Sequence, residues 1–458
     1  MTAPSRLRHV AVIDVGKTNA KLALVNTDTM TEVAVITQPN TVLRAPPYPH
    51  FDLERHWSFF LNGLAEFHAT HGIDAISVTT HGAAAVLLEA DGTLAAPLLD
   101  YEFDGPDTMA ATYDGLRPSF EDTGSPRLAG GLNIGAQLHW LFATDPDLHA
   151  RTAHIVTYPQ YWGFRLTGAL ACDVTSLGCH TDLWTPASGR PSDLVQQLDI
   201  AEKLAPAKRP SEVLGTVTKA IADKTGLPET TPVACGIHDS NASLVPYLTG
   251  AHGPQSVVST GTWVICMAMN AVTPTLDPTK DTLINVNAHG HSVPTARFMG
   301  GREYDLLMAG ADAPVTQDDR EAVLTKGIMV LPAIAPESGP FAGRIGGWTV
   351  APDTPGQRAY AVALYLALMT EHCLSLINAA NPVVVEGPFA KNHDVLRSLA
   401  TLRKAPVLVS AAATGTAIGA AMLLAGARQP QVNTVRPTEQ GAALDRYQAQ
   451  WLSAINSL

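Results

Sequence analysis

The sequence predicts an α/β protein of two domains, on three observations. Its 458 residues exceed what a single core ordinarily serves. Short apolar runs of strand length are interleaved with stretches whose apolar residues recur at helical spacing. A strand–polar turn–strand unit near the start is built again past the middle, which implies a duplicated domain.

The first unit is Val10–Asn26 (VAVIDVGKTNAKLALVN). Two aliphatic runs flank a turn holding Asp14, Gly16, Lys17, Thr18, Asn19 and Lys21. A glycine at the bend lets backbone N–H groups approach a phosphate, and Thr18 and the lysines add donors and charge. Asp14, at a strand end, is a hard oxygen ligand of the kind hydrated magnesium prefers. Alone, the unit reads equally well as an ordinary hairpin with a polar tip. The second unit, Ser256–Met269 (SVVSTGTWVICMAM), repeats the design around Thr-Gly-Thr. Two such hairpins imply a nucleotide gripped from both sides.

Between them, Gln38–Pro49 is expected to be a surface loop, Asp52–Thr70 a helix, and Ile73–Val78 a strand ending at Thr79-Thr80-His81-Gly82. A polar turn at a strand end is where an α/β sheet presents ligand-binding groups, so His81 is a substrate-contact candidate. In Tyr101–Gly105 (YEFDG), Glu102 and Asp104 are either acceptors for hydroxyls or solvated. Asn133–Phe142 and Pro159–Leu166 are expected helices, and Leu194–Leu198 a surface segment. Pro232–Ile237 reads as a buried strand running into His238-Asp239-Ser240-Asn241, with helical Ala242–Leu248 after it. Asp239 is either a helix cap or a catalyst. Thr249–Gln255 reads as a linker and His289-Gly290-His291 as a loop lacking a third metal ligand. Phe298–Arg302 and Leu331–Trp348 are expected loops. Ala359–Asn378 is a helix too apolar for exposure, Asn381–Glu386 a strand turning through Gly387, and Thr416–Leu424 a final closely packed helix.

Composition narrows the class. With 46% hydrophobic and 16% charged residues the chain is globular, and a net charge of −12 without Lys/Arg clusters argues against nucleic acid. No apolar leader or comfortable membrane span is visible, and five unpaired cysteines read as reduced buried thiols of a cytoplasmic protein. Walker A, GxGxxG, GxSxG and HExxH patterns are absent.

The ordered set DVGKTNAK (Asp14–Lys21), TTHGA (Thr79–Ala83), RLTG (Arg165–Gly168), GIHDSNAS (Gly236–Ser243), STGTW (Ser259–Trp263), EGPFAKN (Glu386–Asn392) and GTAIGAA (Gly415–Ala421) resembles the FGGY carbohydrate kinases of the actin/hexokinase/Hsp70 superfamily. The motifs are most similar to the rhamnulokinase and fuculokinase branch. The resemblance implies two ribonuclease-H-like domains around a deep cleft, residues 1–248 holding the sugar and 249–458 most of the ATP. It implies Asp14 on Mg2+ through water, and Gly16, Lys17, Thr18 and Lys21 on the phosphates opposite Gly261 and Thr262. Gly387, Lys391 and Asn392 are implied at the adenosine. Asp239 is the implied general base, with His81, Gly82, His238 and Asn287 on the sugar. The chain departs from the family pattern at Glu386-Gly387-Pro388 (usually GGG), at Lys17 (usually a small hydroxyl residue) and at YEFDG (usually Trp or Tyr with Arg and Asp).

The expected activity is phosphoryl transfer from ATP to a hydroxyl of a ketose, favouring a deoxy-ketohexose such as L-rhamnulose or L-fuculose over xylulose, ribulose or a polyol. A nucleotide-binding regulator of the same fold and a sugar-binding module are the rival readings. The expected partners are sugar and ATP, with neither nucleic acid nor membrane, and a homodimer is the commonest assembly.

Overall fold

A computed structural model describes residues 7–248, 255–311, 313–410, 415–426, 428, 431–438 and 441–457. The linker expected at Thr249–Gln255 lies, but for Gln255, outside the described residues. Packing divides the chain into one unit of Met1–Gly250, Ile284–Ser292 and Thr414–Gln429, and a second of Ala251–Leu283, Val293–Ala413 and Pro430–Leu458. The sequence reading assigned 284–292 and 414–429 to the second domain; both segments pack with the first.

The first unit is built on a seven-stranded sheet. Its strands are β1 (His9–Val15), β2 (Asn19–Asn26), β3 (Thr31–Pro39), β4 (Ala75–Thr80), β5 (Val213–Thr216), β6 (Pro232–Ala234) and β7 (Ile237–His238), in the order β5-β6-β4-β1-β2-β3 with β7 also on β4. β1 runs antiparallel to β2 and parallel to β4, and β6 and β7 run parallel to β4. β1 is apolar throughout because both its faces are covered. Ala11, Ile13 and Val15 join the cluster under helices α1 (Leu53–His71) and α2 (Tyr158–Thr167). Val10 and Val12 face the other way, onto Ala417, Ala420 and Ala421. That second face is what draws the late segment into this unit. Asp52 caps α1 through the Arg55 N–H (3.0 Å).

The stretch after β7 is shorter in helix than expected. α3 (Asp239–Ala242) is followed by a separate 3-10 turn at Val245–Tyr247, because Pro246 supplies no backbone N–H to continue the ladder. Leu194–Leu198 is likewise not a surface segment. It forms a short helix, Leu194–Gln197, whose Leu194 and Val195 enter a core with Tyr113 and Ile134. One turn is too short for periodicity to reveal a buried face.

The second unit repeats the pattern. Its sheet is made of β8 (Gln255–Thr260), β9 (Val264–Met269), β10 (Thr282–Val286, of which 284–286 count with the first unit), β11 (Ser292–Phe298), β12 (Val383–Glu386), β13 (Val407–Ser410) and β14 (Val432–Val435), in the order β10-β11-β9-β8-β12-β13-β14. β8 is antiparallel to β9 and parallel to β12, as β1 is to β2 and β4. In each sheet the first strand thus lies between its antiparallel second strand and a later parallel strand, and the duplication expected from two hairpins extends that far. Helix α4 (Pro355–Leu376) is long and apolar enough to cross a bilayer but is mostly buried in this unit's core. It precedes α5 (His393–Arg403), after which the chain returns to the first unit with α6 (Thr416–Ala425). Phe298–Arg302 is no loop: Phe298 ends β11 and a helix runs from Gly300 to Met308.

Candidate active site

Three parallel strands of the first unit end together. Asp14 on β1 lies opposite Thr79 on β4, and Ile237 and His238 on β7 lie opposite Thr79 and Thr80. The His81 N–H continues the ladder onto Val15 O (2.8 Å). Residues far apart in the chain, Asp14, His81 and Asp239, thereby reach one sheet edge, the carboxyl edge where such sheets bind ligands.

The phosphate-type turn is held from behind. Gly16 N–H donates to Asn19 O (2.9 Å), Asn40 N–H donates to Thr18 O (2.9 Å), and Asn40 Nδ2 donates to Gly16 O (2.8 Å). Asn40 Oδ1 is bonded to His56 Nε2 (2.8 Å), and His56 Nδ1 to Gln38 Nε2 (2.7 Å). Burial pushes the His56 imidazole down to about 4, so it serves this relay uncharged. The beginning of the loop expected at Gln38–Pro49 is thus the end of β3 followed by a brace at buried Asn40. Thr18 stays exposed.

Asp14 receives its bonds on Oδ2, from Thr416 Oγ1 (2.6 Å) and in an ion pair with Lys21 Nζ (3.2 Å). Lys21 also pairs with Glu32 (3.2 Å). Burial works to lower its pKa, yet the two carboxylates hold it above the ordinary lysine value. Lys17 turns away from this pair and lies against Asp100 and Glu102.

At β7, Asp239 is the first residue of α3, and the capping position belongs to His238, whose side chain caps nothing. The carboxylate accepts from Ser240 N–H (2.6 Å) and lies 3.2 Å from His238 Nε2. Burial, and then the negative charge of Asp14, push its pKa up to about 7. A carboxyl tuned there is half-ionised at neutral pH, as suits a general base. Two neighbouring carboxylates that repel one another also fit a divalent cation. Among the described residues no cluster of three or more metal-ligating side chains occurs. Mg2+ takes one or two carboxylates and keeps water and phosphate oxygens for the rest, so Asp14 and Asp239 are of the donor type that would hold it.

The two histidines are neutral. Burial lowers His81 to about 4 and His238 to about 3. His81 Nδ1 lies 2.8 Å from Gly82 O, a pure acceptor, so Nδ1 carries the proton and Nε2 is a bare acceptor. That Nε2 is buried without a partner, set among Phe51, Tyr101 and Tyr158 with ring centroids 5.1–5.3 Å away. An unpaired buried acceptor is costly unless a ligand hydroxyl fills it. Asn241 Nδ2 donates to His238 Nδ1 (3.2 Å), leaving Nε2–H to aim at Asp239.

His238 is positioned further by residues that sequence reading missed. Buried Asp173 accepts the hydrogen bond of the Thr175 hydroxyl, so Thr175 Oγ1 is free to accept from His238 N–H (3.0 Å). A Cβ on Gly82 would come within 2.8 Å of His238 Nε2. Gly82→Ala is therefore expected to displace that ring and raise the sugar KM about tenfold, with nucleotide affinity unchanged; titration with sugar and with a non-hydrolysable ATP analogue checks both. Asn287 is buried on the segment 284–292. Its Oδ1 accepts from His289 and His291 N–H (2.9 and 3.1 Å) and shapes that turn, while Nδ2 has no partner.

In the second unit, Gly261 and Thr262 form the exposed tip between β8 and β9, and Gly261 N–H donates to Trp263 O (2.8 Å). Thr260 joins this turn to the end of β12: its hydroxyl donates to Glu386 O (2.5 Å) and accepts from Phe389 N–H (3.1 Å). Gly387 (φ +84°) sits against Thr260 O, 2.0 Å from where a Cβ would stand, which only glycine allows. Asn392 caps α5 through the Asp394 and Val395 N–H groups (3.1 Å each), and Lys391 is exposed at the preceding turn. The candidates thus gather into two sets, one at the carboxyl edge of each sheet.

A duplicated sheet of this topology, each copy carrying a glycine turn between its first two strands, is the two-domain fold of the actin-like ATPases. Residues 9–246 match the FGGY family of carbohydrate kinases, N-terminal domain, and residues 252–433 match the carbohydrate kinase FGGY C-terminal domain. The chain belongs to this family. A crystal structure of a carbohydrate kinase from Novosphingobium aromaticivorans is 35% identical, with a TM-score of 0.91 and 99% of each chain covered. L-fuculokinase of Escherichia coli (strain K12) is 28% identical over 207 residues, 43% of this chain and 42% of that protein. Rhamnulokinase of Pectobacterium carotovorum (strain PC1) is 25% identical over 282 residues, 59% and 55% of the two chains. The matches span about half the length of these two relatives.

Proposed function

We propose that the protein transfers the γ-phosphoryl group of ATP to a hydroxyl of a ketose. The observation that carries this reading is Asp239 at the shared strand edge, tuned to about 7 beside Asp14 and steered by a neutral His238. Phosphoryl transfer needs positioning and charge neutralisation more than covalent chemistry. Asp239 takes the proton of the attacking hydroxyl as its oxygen bonds to the γ-phosphorus, and the bond to the β-phosphate oxygen breaks to release ADP. His81 Nε2 accepts from a second hydroxyl, which orients the sugar. Asp14 would hold Mg2+, which would neutralise phosphate charge when bound. Gly16, Thr18 and Lys21 of the first glycine turn, and Gly261 and Thr262 of the second, serve phosphate oxygens; Gly387, Lys391 and Asn392 border the adenosine.

Partial similarity to fuculokinase and rhamnulokinase supports a deoxy-ketohexose first, with xylulose, ribulose or a polyol next. Five buried cysteines, none of them in a disulfide, support a reducing, cytoplasmic setting. The test is ADP release from magnesium-ATP alone and with a panel of ketoses and polyols. Sugar-dependent release is expected. Tight ATP binding without release points instead to a regulator, and no ATP binding to a sugar-binding module.

A further inference from the structure

Lys17 lies in the glycine turn but does not face the groups that surround Asp14. Its ammonium is ion-paired with Asp100 and, at 3.2 Å, with Glu102 Oε2. It stands 4.5 Å from the Tyr101 ring centroid and 5.2 Å from that of Phe51. Those same two rings flank His81, whose bare Nε2 is the sugar-facing acceptor described above. Asp100 is fixed independently of the lysine: its N–H donates to Pro49 O (2.9 Å), and its Oδ1 accepts from Glu102 N–H (3.2 Å). Lys21, by contrast, occupies the place beside Asp14. The two lysines of one hairpin, Lys17 in its turn and Lys21 on β2, thus face different carboxylates.

An ammonium has three N–H donors, and Lys17 hydrogen-bonds Asp100 with one while Glu102 is held as an ion pair. The donors that remain lie next to a carboxylate acceptor, and a donor beside an acceptor is complementary to two adjacent hydroxyls. Charge narrows the ligand further. Asp100 and Glu102 outnumber Lys17, and Asp14 and Asp239 lie on the same sheet edge, so a carboxylate-bearing sugar meets net repulsion.

We propose that Lys17 and Asp100 are specificity-determining residues of the sugar site, gripping a vicinal diol of an uncharged polyhydroxy substrate, and that Lys17 is not a phosphate ligand. The proposal rests on the kinase reading and names the substrate feature which that site selects. Lys17→Gln and Asp100→Asn test it against the wild type, using calorimetric sugar binding without nucleotide, KM for the sugar, and affinity for a non-hydrolysable ATP analogue. Each variant is expected to bind sugar at least tenfold more weakly and to lose preference for a ketose over its counterpart lacking one hydroxyl. Nucleotide affinity is expected to stay within twofold, and Lys17→Arg, which keeps the charge, to recover part of the sugar affinity. Should Lys17→Gln weaken the nucleotide tenfold and spare the sugar, Lys17 is a phosphate ligand and the proposal falls. Wild-type sugar binding in both variants also overturns it, leaving the kinase reading intact. A wild type that binds no sugar in the panel removes the kinase reading and this proposal together. If one variant does not fold, the other gives the same readout.

Discussion

Asp239→Asn is expected to bind sugar and ATP close to normally while losing phosphoryl transfer by about 10²- to 10⁴-fold, the usual contribution of a positioned general base. An amide accepts no proton from the attacking hydroxyl, yet it keeps the size of the carboxyl and still offers an oxygen to Ser240 N–H and His238 Nε2. The loss therefore falls on kcat, and steady-state kinetics with separate binding titrations checks it. The wild type supplies a second readout. With Asp239 raised to about 7, the base is protonated below that pH, so kcat/KM rises with pH and levels off above about 7. The same shift has a sign in stability. A carboxyl whose folded pKa lies above the unfolded value of 3.8 favours the fold at low pH, and that contribution is lost as pH rises from about 4 through 7. Asp239→Asn removes this loss, so at pH 8 its melting temperature is expected to equal or exceed that of the wild type. A variant with normal turnover, or a pH profile flat between 5 and 8, removes Asp239 from the role of base.

The second large effect is expected at Gly419, on α6. A Cβ there would lie 1.8 Å from Ala242 O, the last residue of α3. α3 begins at Asp239, and α6 begins at Thr416, whose hydroxyl bonds Asp14. The buried Ser77 hydroxyl also donates to Ala420 O (2.8 Å), tying α6 to β4. Gly419→Val must part α6 from α3 or bend both, an overpacking cost of about 1–3 kcal/mol or more. At about 2–4 °C per kcal/mol for a domain of this size, melting is expected to fall by several degrees. Because both acidic residues are carried or contacted by these two helices, turnover is expected to fall with stability. Thermal melts and sugar-dependent ADP release measure the two together. Melting and turnover at wild-type levels show that the two backbones do not meet here.

The strand–turn–strand units were legible because their signals are local. A continuous aliphatic run, a polar turn with glycine and a second run specify a hairpin buried on both faces, and β1 with β2 and β8 with β9 are those hairpins. Helices long enough to show a period, such as α1 and α4, were legible for the same reason. Leu194–Gln197 was not, since four residues carry no period. Asp239 stood in the sequence as cap or catalyst, and the backbone removes only the first reading, because the capping position falls on His238. The GTAIGAA stretch was visible as a tightly packed helix. Its bond to Asp14 was not, since the partners lie 402 residues apart. Thr175 behind His238 and Asn40 behind the first turn left no sequence signal, as each acts through contacts made only after folding.

What the sequence alone determined is the set of secondary elements and the chemistry they carry: two glycine turns, an aspartate at the first strand end and a His-Asp pair after a buried strand. What only the tertiary structure decided is the company those groups keep. Asp14 takes Thr416 and Lys21, His81 is left with an unpaired acceptor among three rings, and Lys17 turns from Asp14 to Asp100, 83 residues away. The physical reason is range. Strand and helix patterns are set by neighbours within a few residues, whereas the direction of a long charged side chain is set by whichever counter-charge the packed sheet brings beside it.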